Sequence, residues 1–178
     1  MADVTDQALR AGRGDPAALA GFITATIADV RRYCAVVVDD QGADDLVQQT
    51  YLKAIRALPR YRGDAPAKAW LLGIARHTCV DEIRHRQRRR AVEQVGLIVD
   101  PPAHGDPFEA EALRDLLSTL EADRREAFVL TQVIGFSYEE AATAIGCPVG
   151  TVRSRVYRAR ADLVTALGAQ GVASSRRQ

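Results

Sequence analysis

The tightest constraint on this chain lies near its C-terminus, where the turn signal Gly146-Cys147-Pro148 opens a run without a further proline through Leu163. Val149, Val152, Val156, Ala159 and Leu163 recur there at spacings of 3, 4, 3 and 4. That spacing puts them on one stripe of a helix. At about 100° per residue the opposite face centres on Ser154, with Tyr157 and Arg158 beside it and Arg153 and Arg155 on its flanks. A helix with an apolar back and a front of arginines, serine and tyrosine fits a DNA major groove. The same pattern also describes an amphipathic surface helix with a solvated basic face.

The residues upstream favour the first reading. Ser137-Tyr138-Glu139-Glu140-Ala141-Ala142-Thr143-Ala144-Ile145 reads as a short helix with Ser137 as N-cap and Glu140 three positions on, the pattern of a capping box. A short capped helix, a turn containing glycine and a second helix with a polar outer face form a helix-turn-helix.

The rest of the chain points to an all-α protein. Apolar segments have helical spacing, and alternating Val/Ile/Thr runs closed by Asn-Gly or Asp-Gly turns are absent. No apolar run approaches the length of about 18 residues that a membrane span needs. Met1 to Asp6 is acidic and lacks the hydrophobic core of a signal peptide. A cytoplasmic location without membrane contact is expected. Cys34, Cys79 and Cys147 are widely separated and lack CxxC spacing, so reduced, mostly buried thiols are expected rather than a zinc site. No metal, cofactor or catalytic residue is expected.

The net charge of +1 conceals four blocks. Residues 1–52 are net −4, 53–90 net +8, 91–145 net −8 and 146–178 net +5. Two basic blocks separated by an acidic one suggest two contacts with a polyanion, or attraction between the blocks within the fold, or both.

Taken in order, residues 5–12 suit a short helix. Asp15 and Pro16 suit the N-cap and first turn of a second helix, over about 16–36, with Leu19, Phe22, Ile23, Ile27 and Val30 inward. A third, over about 43–58, carries Val47, Tyr51, Ala54, Ile55 and Leu58 on one stripe and exposes Asp44, Asp45, Gln48 and Gln49. The acidic pair suits a helix start on dipole grounds alone, or forms a polar docking face. The loop Pro59 to Pro66 interleaves Arg60 and Arg62 with Tyr61, a composition suited to single-stranded nucleic acid. A fourth helix, over about 66–88, turns Leu71, Ile74, Ala75, Thr78, Cys79 and Ile83 inward. It carries Lys68, Arg76, Arg84 and the run Arg86-Gln87-Arg88-Arg89-Arg90, either a solvated face or a phosphate track. Trp70, the only tryptophan, fills the core or lies against DNA. Three prolines and two glycines between 91 and 107 mark a linker. It separates a first domain, 1–90, from a second, 108–168. In the second, Leu113, Leu116, Leu117 and Leu120 face inward on one helix. Asp123 caps the next, which runs to Ile134 with Phe128, Val129 and Val133 inward. Residues 169–178 form a disordered tail.

With these residues in place, the chain resembles an extracytoplasmic-function (ECF, group IV) sigma factor of bacterial RNA polymerase over about residues 5–167. Ala43-Asp44-Asp45-Leu46-Val47-Gln48-Gln49-Thr50-Tyr51-Leu52-Lys53-Ala54 is similar to the segment that docks on the clamp helices of core polymerase. The resemblance assigns that contact to Asp44, Asp45, Leu46, Gln48 and Gln49. Tyr61-Arg62-Gly63-Asp64 and Ala69-Trp70-Leu71-Leu72-Gly73-Ile74-Ala75-Arg76-His77 are similar to the segments that open the −10 element. Arg60, Tyr61, Arg62, Lys68, Trp70, Arg76, His77 and Arg84 are the residues implied there. Tyr138-Glu139-Glu140-Ala141-Ala142 and Pro148 to Arg160 are similar to the helix-turn-helix that reads the −35 element, implicating Thr151, Arg153, Ser154, Arg155, Tyr157 and Arg158. Arg160 falls nearer the apolar edge and suits a phosphate contact or an internal ion pair. Gln49 replaces a usual Glu, Tyr51 a common Phe and Ala69 a frequent Thr. The family implies a non-catalytic subunit that brings core polymerase, through the β′ clamp helices and the β flap, to duplex −35 and single-stranded −10 DNA. It implies a linker threading toward the RNA channel and leaves an anti-sigma partner open.

Two other classes share some of these features. A transcriptional regulator with a C-terminal helix-turn-helix would look similar over 123–167, but the first half lacks the βα alternation of a phospho-receiver. A nucleic-acid enzyme would need a nucleophile with its base or a carboxylate cluster, and His77, His85 and His104 stand in no such arrangement with Ser or Cys.

Overall fold

The computed structural model describes residues 3–38, 40–92 and 107–175. Among these residues there are only helices, turns and loops, as the spacing of apolar residues predicts. They fall into two compact units, the first mainly before residues 93–106 and the second mainly after them. The linker expected over 91–107 lies outside the described residues except at its ends, since Ala91 and Val92 are helical and Pro107 opens the next helix.

The first unit contains α1 (Val4–Gly12), α2 (Pro16–Val37), α3 (Asp40–Ala57), a 3-10 turn (Leu58–Arg60) and α4 (Ala67–Val92). Asp15 caps α2 as its composition predicts, accepting the N–H groups of Ala17 and Ala18 at 3.0 Å, with Pro16 in the first turn. These bonds, the one to Ala18 first, and the Arg10 guanidinium hold the Asp15 carboxyl below its ordinary pKa.

The buried stripe of α2 is Ala18, Phe22, Thr26, Val30, Tyr33 and Cys34. Ile27, expected inward, is 43 % exposed. The stripe advances by four residues per turn from Phe22, and Thr26 rather than Ile27 falls on it. The Thr26 hydroxyl donates to the Phe22 carbonyl at 2.7 Å and lies 2.6 Å from the Tyr51 hydroxyl. Its burial is therefore compensated. Burial pushes the Tyr51 hydroxyl above its ordinary pKa, with the Thr26 bond opposing the shift.

On α3, Ala43, Leu46, Val47, Thr50, Tyr51 and Ala54 are buried, and Leu58 follows on the 3-10 turn. Ile55, expected inward, is 39 % exposed. On α4, Leu71, Ala75, Thr78 and Cys79 are buried, while Ile74 and Ile83 are half-buried. The buried Cys34 and Cys79 thiols meet across α2 and α4, 3.7 Å apart.

The second unit contains α5 (Pro107–Ser118), α6 (Ala122–Phe128), α7 (Tyr138–Ile145) and α8 (Val149–Ser175). Leu117, Leu120, Ala127, Val129 and Leu130 are buried with the inner face of α8, whereas Leu113 is 41 % exposed. The helix expected to reach Ile134 widens into a π-turn over Val129–Val133. Asp123 does not cap α6: Glu121 holds the N-cap position, without a side-chain cap bond. The Asp123 carboxylate is drawn to Arg155 instead. Helix α8 continues through Gly168 to Ser175, into the stretch expected as a disordered tail. No proline interrupts it there, and its alanines favour continuation.

Two changes test this packing. Phe22→Ala should destabilise the first unit by about 3–5 kcal/mol, whereas Ile27→Ala should cost about 0.5 kcal/mol or less. Urea denaturation followed by Trp70 fluorescence reads both, and equal losses would mean that the wrong face of α2 has been placed inward. Ser137→Ala should cost about 0.5–2 kcal/mol and speed amide exchange in the first turn of α7.

Candidate nucleic-acid interface

The helix-turn-helix is built from its caps outward. The Ser137 hydroxyl accepts the Glu140 N–H at 3.1 Å, and the Glu140 carboxylate accepts the Ser137 N–H at 2.9 Å. The capping box read from the sequence is therefore closed in both directions. Gly146 ends α7 at φ 77°, the left-handed region that glycine occupies without a Cβ penalty. Its N–H and that of Cys147 both bond the Ala142 carbonyl, at 2.8 and 3.1 Å. Pro148 then opens the path into α8, where its carbonyl accepts from Thr151 at 2.9 Å.

Val152, Val156, Ala159 and Leu163 are buried, which turns the opposite face of α8 outward. Ser154 and Arg158 are exposed, and Tyr157 is 77 % exposed. Among the described residues Arg158 has no ion-pair partner. The Ser154 hydroxyl donates to the Thr151 carbonyl at 2.9 Å. Arg153 stands at the edge of this face with its guanidinium 5.7 Å from the Tyr138 ring centroid. It also lies 3.7 Å from the Glu139 carboxylate. Residues of α7 thus limit where Arg153 points.

Two arginines leave the face. Arg155, expected to contact DNA, pairs with Asp123 and reaches 3.8 Å from the Cys147 sulfur, with its side chain 23 % exposed. Arg160 donates to the Gln132 side-chain oxygen at 2.7 Å. Arg124, which sequence reasoning did not single out, bridges Asp162 of α8 at 2.8 Å and Glu121 at 3.2 Å. These contacts span up to 38 positions, so no local pattern announces them.

In the first unit, the Tyr61 and Trp70 rings pack with centroids 4.8 Å apart and planes tilted by 37°. Trp70 is half-buried, so it neither fills the core nor stands free of it. The Tyr61 hydroxyl donates to the Ala65 carbonyl. Arg60 is exposed with no ion-pair partner among the described residues, whereas Arg62 pairs with Asp64 at 3.1 Å. Trp70, His77 and Arg84 recur every seven residues and so line one side of α4. His77 and Arg84 are exposed, and His77 Nδ1 lies 2.7 Å from the Gly73 carbonyl oxygen. Lys68 is turned away from that line and donates to Asp29 at 2.9 Å. Arg76 is half-buried.

On α3, Asp44, Asp45, Gln48 and Gln49 are exposed, with Asp44 bonded to Arg31 at 2.9 Å. Leu46, expected in the docking set, is 2 % exposed and packs into the core. Leu52, 50 % exposed, and Ile55, 39 % exposed, continue the face begun by Gln48 at helical spacing. Reading Ile55 as core hid this apolar strip. Among the described residues no group of three His, Cys, Asp or Glu side chains is placed to hold a metal ion. No helix there is long and apolar enough to cross a membrane.

Comparison with known proteins matches both units. Residues 22–89 match the family described as sigma-70 region 2, and residues 110–163 match sigma-70 region 4. The ECF RNA polymerase sigma factor SigC of Mycobacterium tuberculosis is 46 % identical over 165 residues, covering 90 % of this chain and 89 % of that protein. The ECF RNA polymerase sigma-E factor of Escherichia coli is 32 % identical over 179 residues, covering 88 % and 91 %. Among solved structures, CnrH in complex with the cytosolic domain of CnrY superposes with a TM-score of 0.76 at 28 % identity, covering 93 % of this chain and 97 % of that one. The sigma factor RpoE of Bartonella quintana, solved with the anti-sigma factor NepR, gives 0.74 at 30 % identity, covering 84 % and 96 %. With helix-turn-helix, aromatic loop and polar α3 face all falling within matched segments, the chain belongs to the extracytoplasmic-function sigma factors of the sigma-70 family, the promoter-recognition subunits of RNA polymerase.

Proposed function

We propose that the chain brings core polymerase to promoters through two chemically different DNA contacts, duplex −35 DNA at α8 and single-stranded −10 DNA at the loop 59–66 and α4. The observation that carries this reading is the outer face of α8. Ser154, Tyr157 and Arg158 stand exposed together over a buried Val152-Val156-Ala159 back. A major groove admits such a helix, and an uncommitted arginine there can contact guanine edges or phosphate. Arg153 joins from the edge, and Thr151 lies at the N-terminal end that enters the groove first. Arg155 serves the fold instead.

At −10 the chemistry is different. The Tyr61–Trp70 pair offers an aromatic surface to an unpaired base, where stacking contributes about 1–3 kcal/mol per base. Arg60, His77 and Arg84 supply positive or hydrogen-bonding groups along the same path, and Arg76 borders it. Arg62 reaches phosphate only by leaving Asp64. Lys68 is held by Asp29 and contributes least. Polymerisation belongs to the core enzyme, in the cytoplasm, and this chain adds no catalytic group, metal or cofactor. Asp44, Asp45, Gln48 and Gln49, with Leu52 and Ile55 in place of Leu46, form the face offered to the β′ clamp helices. The second unit meets the β flap. The complex of a related sigma factor with NepR supports an anti-sigma partner.

Run-off transcription with core polymerase and a genomic promoter library tests this assignment. Arg158→Ala should lower −35-dependent transcription about tenfold, the loss of one good base contact, with core affinity unchanged. Arg155→Ala should instead cost the free chain about 0.5–1 kcal/mol of stability. Loss of core binding in Arg158→Ala would overturn the placement of α8 on DNA.

A further inference from the structure

Helix α1 precedes the region 2 match, which begins at residue 22, yet it touches the −10 loop along the whole of one face. Thr5 is the first contact. Its Oγ1 accepts the N–H of Ala67, the first residue of α4, at 3.3 Å across 62 positions. The residue before Ala67 is Pro66, which has no side-chain acceptor, so Thr5 satisfies from outside a donor that a helix start leaves open. The Tyr61 O–H donates to the Ala65 carbonyl, two residues before Ala67, so the bond that holds the phenol and the bond made by Thr5 converge on one short stretch of backbone. Burial raises the Tyr61 pKa above its ordinary value and keeps the phenol protonated for that donation.

Two further residues continue this face of α1 at spacings of four and three. Leu9 lies beneath Gly63, with Cδ1 3.5 Å from where a Cβ there would stand. Gly12 meets the start of the loop, where a Cβ would fall 2.5 Å from the Leu58 carbonyl oxygen. Positions 5, 9 and 12 thus contact the end, middle and beginning of the segment that carries Tyr61.

We infer that α1 is the template of the −10 loop and that Thr5 is a positioning residue, setting the Tyr61 ring against Trp70 for capture of an unpaired base. This inference rests on the −10 reading of the loop given above. The test uses holoenzyme, a pool of single-stranded −10 oligonucleotides randomised in sequence, and a duplex pool randomised at −35. Thr5→Val should reduce enrichment of the preferred −10 bases about fivefold, the scale of one lost cap or hydrogen bond. Selectivity at −35 should stay unchanged, and Thr5→Ser should restore the −10 preference. Tyr61→Phe, which keeps the ring, should reduce the same enrichment, and Thr5→Val on top of it should add little.

Additive losses, or an unchanged −10 preference in Thr5→Val while Trp70→Ala loses it, would overturn the role of Thr5. If Thr5→Val lowers the urea midpoint, Tyr61→Phe decides: unchanged −10 enrichment in that variant refutes the inference. If Trp70→Ala is also silent, the reading of the loop fails and the inference falls with it.

Discussion

The recognition face of α8 depends on what lies behind it. Val152, Val156 and Ala159 are sealed from solvent, and their burial fixes the rotation of the helix about its axis. A rotation by one residue, about 100°, would bring Arg153 toward the core. An unpaired guanidinium there would cost several kcal/mol, more than the gain from any single buried valine. Register is therefore held by a penalty as much as by a gain. The closed capping box sets where α7 begins and the left-handed Gly146 where it ends, so the positions of Ser154, Tyr157 and Arg158 follow from the packing behind them.

The same logic sorts the cations. A guanidinium held by a carboxylate can reach phosphate only by giving up that partner. Arg124 with Asp162, Arg155 with Asp123 and Lys68 with Asp29 are committed in this way. Exposed pairs contribute little to stability, about 0–1 kcal/mol each. Their effect here is directional, since they fix side chains and remove them from the surface open to DNA. Arg60 and Arg158 keep their full hydrogen-bonding capacity. The basic blocks of the sequence therefore overstate the number of cations available to a polyanion.

Periodicity and capping residues made most of the helices legible. Asp15 with Pro16, and Ser137 with Glu140, act within a few residues of themselves, so their roles can be read locally. The differences have two origins, helical phase and long-range partners. A stripe of small and β-branched residues can be drawn at two phases about 100° apart, and Thr26 was passed over for Ile27 because hydroxyls score as polar. The Tyr51 hydroxyl, which makes Thr26 at home in the core, comes from another helix. Ile55 shares this ambiguity of phase, whereas Leu46 enters the docking set through the family resemblance and lies in the core. Arg155 was placed on the DNA face because helical geometry alone gives it a flank, while Asp123, 32 positions upstream, cannot be paired with it from sequence. Thr5 carried no signal at all, since its partners lie across the loop.

The two proposed DNA contacts would also place different demands on the fold. A duplex reader needs a rigid face, and α8 has one made by its own helix and by α7. An aromatic pair that is to stack on an unpaired base needs its rings held apart from the core without being buried by it. Helix propensity cannot do this for the stretch 61–66 between the 3-10 turn and α4, so the restraint must come from outside it. The bond from Ala67 to Thr5 and contacts through Leu9 and Gly12 supply that restraint. Electrostatics then limits what either contact achieves alone. Salt-dependent affinity grows with the number of phosphates neutralised at once, and each contact offers few uncommitted cations in a chain of net charge +1. Tight binding requires both contacts to be engaged together, so that the second becomes effectively intramolecular. On the proposed reading, holding them to one stretch of DNA falls to the polymerase core, so that this subunit recognises promoters best within the holoenzyme.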